Sequence, residues 1–290
     1  MDQLPQDLID LLNLEQVNAD VFIGKSKGVG TTNLYGGQML AQALAAACRT
    51  VPADRSAHSL HSYFLLPGIH EDVRYKVTRV RDGRSFSMRR VVGEQGGKDI
   101  FELTVSFQTA GAGVEHQFEM PQVPPPESLE SEAAFMERMV PEHFRGRHIV
   151  PIGIEYRRVQ PFDFSEPKAY AGTNFTWLRA TPLLPDDPHL HRAVLTYASD
   201  HGLLITPMIQ HGLSFVLGQV ILGSLDHAMW FHRDFRADDW LLYCTDAPSA
   251  ANARGFSRGS FYTRDGVLVA SAAQEGFMRV PALSAGRQNA

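Results

Sequence analysis

The chain has 290 residues, 44% of them hydrophobic and 20% charged, with a formal net charge of −5. This is ordinary globular composition, enough for one large domain or two of usual size, and it excludes a chain that binds polyanions over its whole surface. Its two cysteines, Cys48 and Cys244, make neither a disulfide framework nor a four-cysteine zinc site, so a reducing compartment is expected.

The opening Met1-Asp2-Gln3-Leu4-Pro5 lacks the basic and apolar regions of a signal peptide. No apolar run approaches the roughly 20 residues that span a bilayer. The closing Gly286-Arg287-Gln288-Asn289-Ala290 carries no peroxisomal or lipidation signal, and a soluble, cytoplasmic protein is the expectation. Gly36-Gly37 opens a predicted helix in which Met39, Leu40, Ala43, Leu44 and Ala47 recur at helical spacing. Strands are expected at roughly 56–66, 73–81, 85–94 and 99–108, with Asp82-Gly83 as a turn.

Ala110-Gly111-Ala112-Gly113 and Pro121-Gln122-Val123-Pro124-Pro125-Pro126 then break the pattern and read as a linker. A short amphipathic helix is expected near 128–140, before Pro141. The second half repeats the order of elements. A helix near 188–200 carries Leu190, Val194 and Tyr197 on one stripe. Strands follow at roughly 218–232, 239–246, 254–263 and 266–279, with Asp265-Gly266 as a turn. The expected organisation is a first module over 1–108, a linker over 109–150 and a second module over 151–290.

Short matches support a duplication. His61 pairs with His227 and Gln108 with Gln274 at one interval, and Arg84-Ser85-Phe86-Ser87 pairs with Arg254-Gly255-Phe256-Ser257 at a slightly longer one. A helix followed by about four antiparallel strands, twice, favours an α+β protein with a sheet wrapped around each helix. Two unrelated α+β halves are the alternative.

Other chemistries find no footing. Gly24-Lys25-Ser26 has Ala19 where a P-loop needs its first glycine. Gly212-Leu213-Ser214-Phe215-Val216 lacks the last glycine of a nucleophile elbow. The pairs His58/His61 and His227/His232 face opposite sides of a strand, with no carboxylate–cysteine cluster beside them, so no zinc is expected. His61 and His227 read as satisfied polar groups in a sheet.

The sequence nevertheless resembles the acyl-CoA thioesterase II family across nearly its whole length. The first half carries Tyr35-Gly36-Gly37-Gln38, His58-Ser59-Leu60-His61-Ser62-Tyr63-Phe64 and Arg81-Asp82-Gly83-Arg84-Ser85-Phe86-Ser87. The second carries Tyr197-Ala198-Ser199-Asp200, Leu225-Asp226-His227-Ala228-Met229-Trp230-Phe231-His232 and Ala253-Arg254-Gly255-Phe256. Asp265-Gly266-Val267-Leu268-Val269-Ala270-Ser271 then runs into Gln274-Glu275-Gly276.

The resemblance implies a tandem (double) hot-dog fold, with two antiparallel sheets each wrapped around a long helix. It also implies hydrolysis of medium- or long-chain fatty acyl-CoA to free acid and coenzyme A, with no cofactor. The family's water-activating Asp, Ser or Thr, and Gln fall on Asp200, Ser224 and Gln274. By the repeat interval Asp200 maps to Leu34 and Ser224 to His58, so the first half lacks the carboxylate.

Those residue types suit the reaction. A carboxylate accepts a proton from water, while a hydroxyl and an amide fix the water's orientation. Backbone N–H groups of Gly36 and Gly37, at a helix start, are candidates to hold the developing oxyanion. Arg84 and Arg254, from clusters that include Arg79, Arg81, Arg89, Arg90 and Arg258, are candidates for the coenzyme phosphates. Each also reads as a solvated strand-edge arginine, and Asp200 alone also reads as a helix end.

An enoyl-CoA hydratase of the same fold would need Asp-x-Asn-Pro-x-His, whereas Asp200 is followed by His201-Gly202-Leu203-Leu204-Ile205. A non-catalytic acyl-CoA binder would lack the three polar residues. Neither nucleic acid nor membrane is an expected partner. Association into a homodimer or tetramer stays open.

Overall fold

Each predicted helix has a counterpart in the computed structural model, which describes residues 4–30, 33–139 and 151–281. Helix α1 spans Leu4–Leu12, α2 Gly36–Cys48, α3 Glu132–Met139, α4 Pro188–Ser199 and α5 Thr206–Gln210. The first-half strands are β1 Glu15–Asn18, β2 Val21–Gly24, β3 Arg55–Phe64, β4 Val73–Asp82, β5 Phe86–Gln95 and β6 Lys98–Thr109. The second-half strands are β7 Ile154–Arg158, β8 Asn174–Ala180, β9 Ile221–Ser224, β10 Asp226–Phe231, β11 Leu241–Ala251, β12 Arg254–Thr263 and β13 Leu268–Arg279. Residues 140–150 and 282–290, which include Pro141 and the chain end, lie outside the described residues, as do Met1, Asp2 and Gln3.

The expectation of two sheets needs correction. One 13-stranded antiparallel sheet runs β1-β2-β4-β5-β6-β3-β10-β13-β12-β11-β8-β7, with β9 on the end of β13. The junction is β3 against β10, where Leu60 lies opposite Met229 and His61 opposite Ala228. The strand order outward from this junction is nearly mirrored in the two halves. Helices α2 and α4 pack against each other on the concave side. At 13 and 12 residues they are of ordinary length rather than long. Helix α2 is buried on nearly every face, which explains why its side chains are mostly alanine and leucine.

Local chemistry sets the helix ends. Asp187 caps α4 by accepting the His189 N–H at 2.9 Å, and Pro188 follows at the first helical position. Gly202, at φ +105°, then turns the chain just past Asp200. The predicted single strand at 218–232 is broken at Leu225. Its N–H donates to the Glu275 carbonyl at 2.9 Å, and its own carbonyl accepts from Phe64 N–H at 3.0 Å. This break separates β9 from β10 and leaves Ser224 and His227 flanking one point on β13.

The two helices approach closely at Gly37. A Cβ there would lie 2.3 Å from the Tyr197 carbonyl oxygen, a backbone atom with nowhere to go. Gly37→Ala is therefore expected to destabilise the fold by about 2 kcal/mol or more. Thermal melting should show a fall of roughly 4–8 °C in midpoint; an unchanged midpoint would mean the helices separate easily.

Candidate active site

The site is built where the C-terminus of α4 meets the N-terminus of α2. The last carbonyls of a helix have no partner within it. Here three tyrosine hydroxyls supply them: Tyr35 to Tyr197 O at 3.0 Å, Tyr156 to Ala198 O at 3.1 Å and Tyr243 to Ser199 O at 3.0 Å. Burial raises the pKa of all three phenols well above the ordinary value, so each keeps the proton it donates. The next residue, Asp200, is thereby fixed in place.

Asp200 Oδ2 accepts the Gly37 backbone N–H at 2.9 Å, so the carboxylate sits at the positive end of α2. A Cβ on Gly36 would come within 2.8 Å of Oδ2 and 3.0 Å of the Phe64 ring, which accounts for the second glycine. The other oxygen, Oδ1, is buried and has no hydrogen-bond partner among the described residues. Burial raises the Asp200 pKa above the usual carboxylate value; His227, the Gly37 N–H and the Gln274 amide oppose that shift without cancelling it. A buried carboxylate with one unengaged oxygen is a proton acceptor in waiting.

Ser224 and Gln274 stand beside it. Gln274 Nε2 donates to Ser224 Oγ at 2.8 Å. The amide's Oε1 lies 2.6 Å from His227 Nδ1, and His227 Nε2 lies 2.9 Å from Ser199 Oγ. The polar chain therefore runs from α4 through β10 and β13 to β9, ending next to Asp200.

These groups border a cavity of about 1040 Å³, large for a small-ligand site. Asp200, Ser224 and Gly36 line it together with apolar residues such as Met39, Phe64, Ile205 and Phe277. One wall comes from the linker. Glu132 of α3 binds Arg158 at 3.0 Å and His201 at 3.1 Å, both from the second half. Burial opposes ionisation of Glu132, yet the contacts with Arg158 and His201 outweigh it and hold its pKa far below the ordinary range. The linker is thus part of the site.

Two models of the acyl-CoA thioesterase family match the chain: the N-terminal domain model over residues 26–108 and the acyl-CoA thioesterase model over residues 156–277. Human acyl-coenzyme A thioesterase 8 is 38% identical over 282 residues, covering 93% of this chain and 88% of the relative. The chain belongs to the acyl-CoA thioesterase family. A crystal structure of an acyl-CoA thioesterase II from Mycobacterium marinum superposes on this thioesterase with a TM-score of 0.78 at 37% identity, covering 95% and 99% of the two chains. A hot-dog protein of unknown function from Alicyclobacillus acidocaldarius reaches 0.75 at 19% identity, covering 95% and 98%, which shows the hot-dog fold alone.

Of the residues singled out in the sequence, Asp200, Ser224, Gln274, Gly36 and Gly37 come together. Gly37 spends its N–H on Asp200, so it is not an oxyanion donor as expected; Gly36 heads the helix at the cavity wall. Arg84 is exposed on the β4–β5 turn, its carbonyl held by Arg55 at the far end of β3 from Phe64. At about 3.3 Å per residue that is roughly 30 Å from the cavity. Arg254 is exposed, bridges Glu275 at 2.9 Å and lies opposite Phe277, at the cavity rim.

The repeat matches also need correction by one register step. Phe86 lies opposite Gln108 and Phe256 opposite Glu275, so the outward-facing counterpart of Gln108 is Glu275. Gln274 corresponds instead to Phe107, which is buried. His61 is likewise exposed, edge-on to Trp230 at 5.2 Å, whereas His227 is buried. The counterpart of Asp200 at the end of the first-half helix is Arg49, not Leu34, and the first half still lacks the carboxylate.

Sequence reasoning missed Tyr156, Tyr243 and the Glu132 cluster altogether. Tyrosines that cap a distant helix leave no periodic signal.

Proposed function

We propose that Asp200, Ser224 and Gln274 hydrolyse medium- or long-chain fatty acyl-CoA to free fatty acid and coenzyme A by direct attack of water. The chain, as a member of its family, is a thioester hydrolase. The observation that carries the mechanism is Asp200 Oδ1, a buried carboxylate oxygen without a partner on the wall of an apolar cavity. Water held there by Ser224 gives its proton to Asp200 as its oxygen bonds to the thioester carbon. The C–S bond then breaks, and the proton passes to the departing sulfur. The N-terminus of α2, headed by Gly36, faces the negative charge that develops on the carbonyl oxygen.

A covalent route has no support in the thiols. Burial pushes both Cys48 and Cys244 up to about 12, far from the ionised form a nucleophile needs. Arg254, at the rim, is the better placed of the two arginines for a coenzyme phosphate.

The reading includes a double hot-dog with modules at 1–108 and 151–290 and a linker at 109–150. The mirrored strand order and the separate spans of the two family models support that division. Because the halves already pair through β3 and β10, a dimer or tetramer is optional. No helix among the described residues is long and apolar enough to cross a membrane. The reading also places the chain in the cytoplasm, a setting compatible with the two free cysteines.

Thiol release from acyl-CoA of graded chain length tests the activity, and a non-catalytic binder would release none. Pre-steady-state kinetics and intact-protein mass test the direct route. The expected result is linear thiol release with no acylated protein; a burst or an acyl adduct would overturn it.

A further inference from the structure

His227 is fully buried in β10, and no step above uses it. A neutral imidazole carries one N–H, so its two contacts have two possible polarities. If Nδ1 is protonated, it donates to Gln274 Oε1, and Nε2 accepts from the Ser199 hydroxyl, whose single proton then turns to it from the Thr196 carbonyl at 2.9 Å. The amide then donates to Ser224 Oγ, and its positive N–H edge favours the charge on the neighbouring Asp200 carboxylate. If Nε2 is protonated instead, Gln274 must turn its NH₂ toward His227. Its carbonyl oxygen would then face an ionised Asp200, setting two acceptors against each other in a buried site.

We propose that His227, as its Nδ1–H tautomer, is a positioning residue that locks the Gln274 amide with its N–H groups toward Ser224 and Asp200. This rests on the water-activating role given to those three residues. His227 itself meets neither substrate nor water; it decides which hydrogen bonds the attacking water finds.

A second observation stands apart from the hydrogen bonds. In the first half, Phe107 takes the place of Gln274, and Ala57 lies opposite it. Both are buried, at 0% and 1% exposure. The fold fills that position with hydrocarbon where there is no site, so a polar pair is not a requirement of the sheet.

Three variants of the full chain separate the roles. Asn at 227 carries an N–H where Nδ1 stands, whereas Gln reaches the Nε2 position and puts its amide carbon, which has no proton to donate, where Nδ1 was. His227→Asn is expected to keep kcat within about threefold, while His227→Gln loses about tenfold or more with KM within about twofold. In a Gln274→Ala background, His227→Gln should cost nothing further, because its effect passes through that amide. Nitrogen-15 NMR of histidine-labelled protein should show a buried Nδ1–H imidazole that disappears in His227→Asn.

An Nε2–H tautomer, equal losses in the Asn and Gln variants, or an undiminished loss in the Gln274→Ala background would overturn the proposal. Full turnover in Gln274→Ala would overturn the water-activating set along with it. An inactive Gln274→Ala beside a fully active His227→Gln would sink the role of His227 alone.

Discussion

Asp200→Asn is expected to lower turnover by roughly 10²–10⁴-fold, the range of a lost general base, with little change in affinity for acyl-CoA. Asn keeps the oxygen that accepts the Gly37 N–H, so the junction between α2 and α4 is preserved. What it loses is the charge on the unengaged side of the carboxylate. Ser224→Ala should cost less, because the water keeps its base and loses one partner.

The same substitution has a second, opposite consequence for stability. Burial raises the pKa of Asp200 in the folded protein above its unfolded value. Such a group stabilises the fold below its unfolded pKa, and that contribution is lost as pH rises through the folded pKa. Near neutral pH the ionised side chain is therefore a cost, and Asp200→Asn should melt higher than the parent. The advantage should shrink as pH falls below the folded pKa and vanish below the unfolded one. Turnover of the parent should fall through that same pKa on acidification, since only the ionised carboxylate accepts a proton. A variant that keeps its turnover, or melts lower near neutral pH, would make Asp200 a helix end and nothing more.

Most of the frame was legible because each element announced itself locally. The helix over Gly36–Cys48 follows from apolar spacing, and Asp82-Gly83 marks its hairpin. The strands β3 to β6 and β11 to β13 follow from alternation bounded by turns. The short strands β1, β2, β7 and β8, toward the two ends of the sheet, were not legible, since four to seven residues carry little pattern and pairing with a neighbour defines them.

The site was legible in identity but not in arrangement. Asp200, Ser224 and Gln274 were found through resemblance. Nothing in their spacing says that Gln274 also holds His227, or that Gly37 is committed to the carboxylate. The mismatch of Gln108 with Gln274 has a simple origin. A one-residue slip in a strand turns every side chain to the other face, and identical letters do not reveal the face. The bulge between Ala57 and Ser59 adds to the confusion on β3.

Gln274→Ala is expected to remove most turnover, by roughly 10²-fold, whereas Gln108→Ala should stay within about twofold of the parent. The contrast follows from the faces of the two strands. Gln274 is buried on the concave side, donating to Ser224 at 2.8 Å and stabilising the Asp200 anion. Gln108 is half-buried on the outer side, opposite Phe86 and Ser56, and Phe107 occupies the inward place. The amide also predicts a shift in pH dependence. Its N–H groups favour the charged form of Asp200, so their removal lets burial raise that pKa further. The acidic limb of the residual activity in Gln274→Ala should therefore move to higher pH, and at fixed pH the loss should deepen on acidification. Equal losses in the two variants would mean a working site in each half. A limb that stays in place or moves to lower pH would mean that Gln274 does not act on Asp200, leaving its bond to Ser224 as its whole contribution.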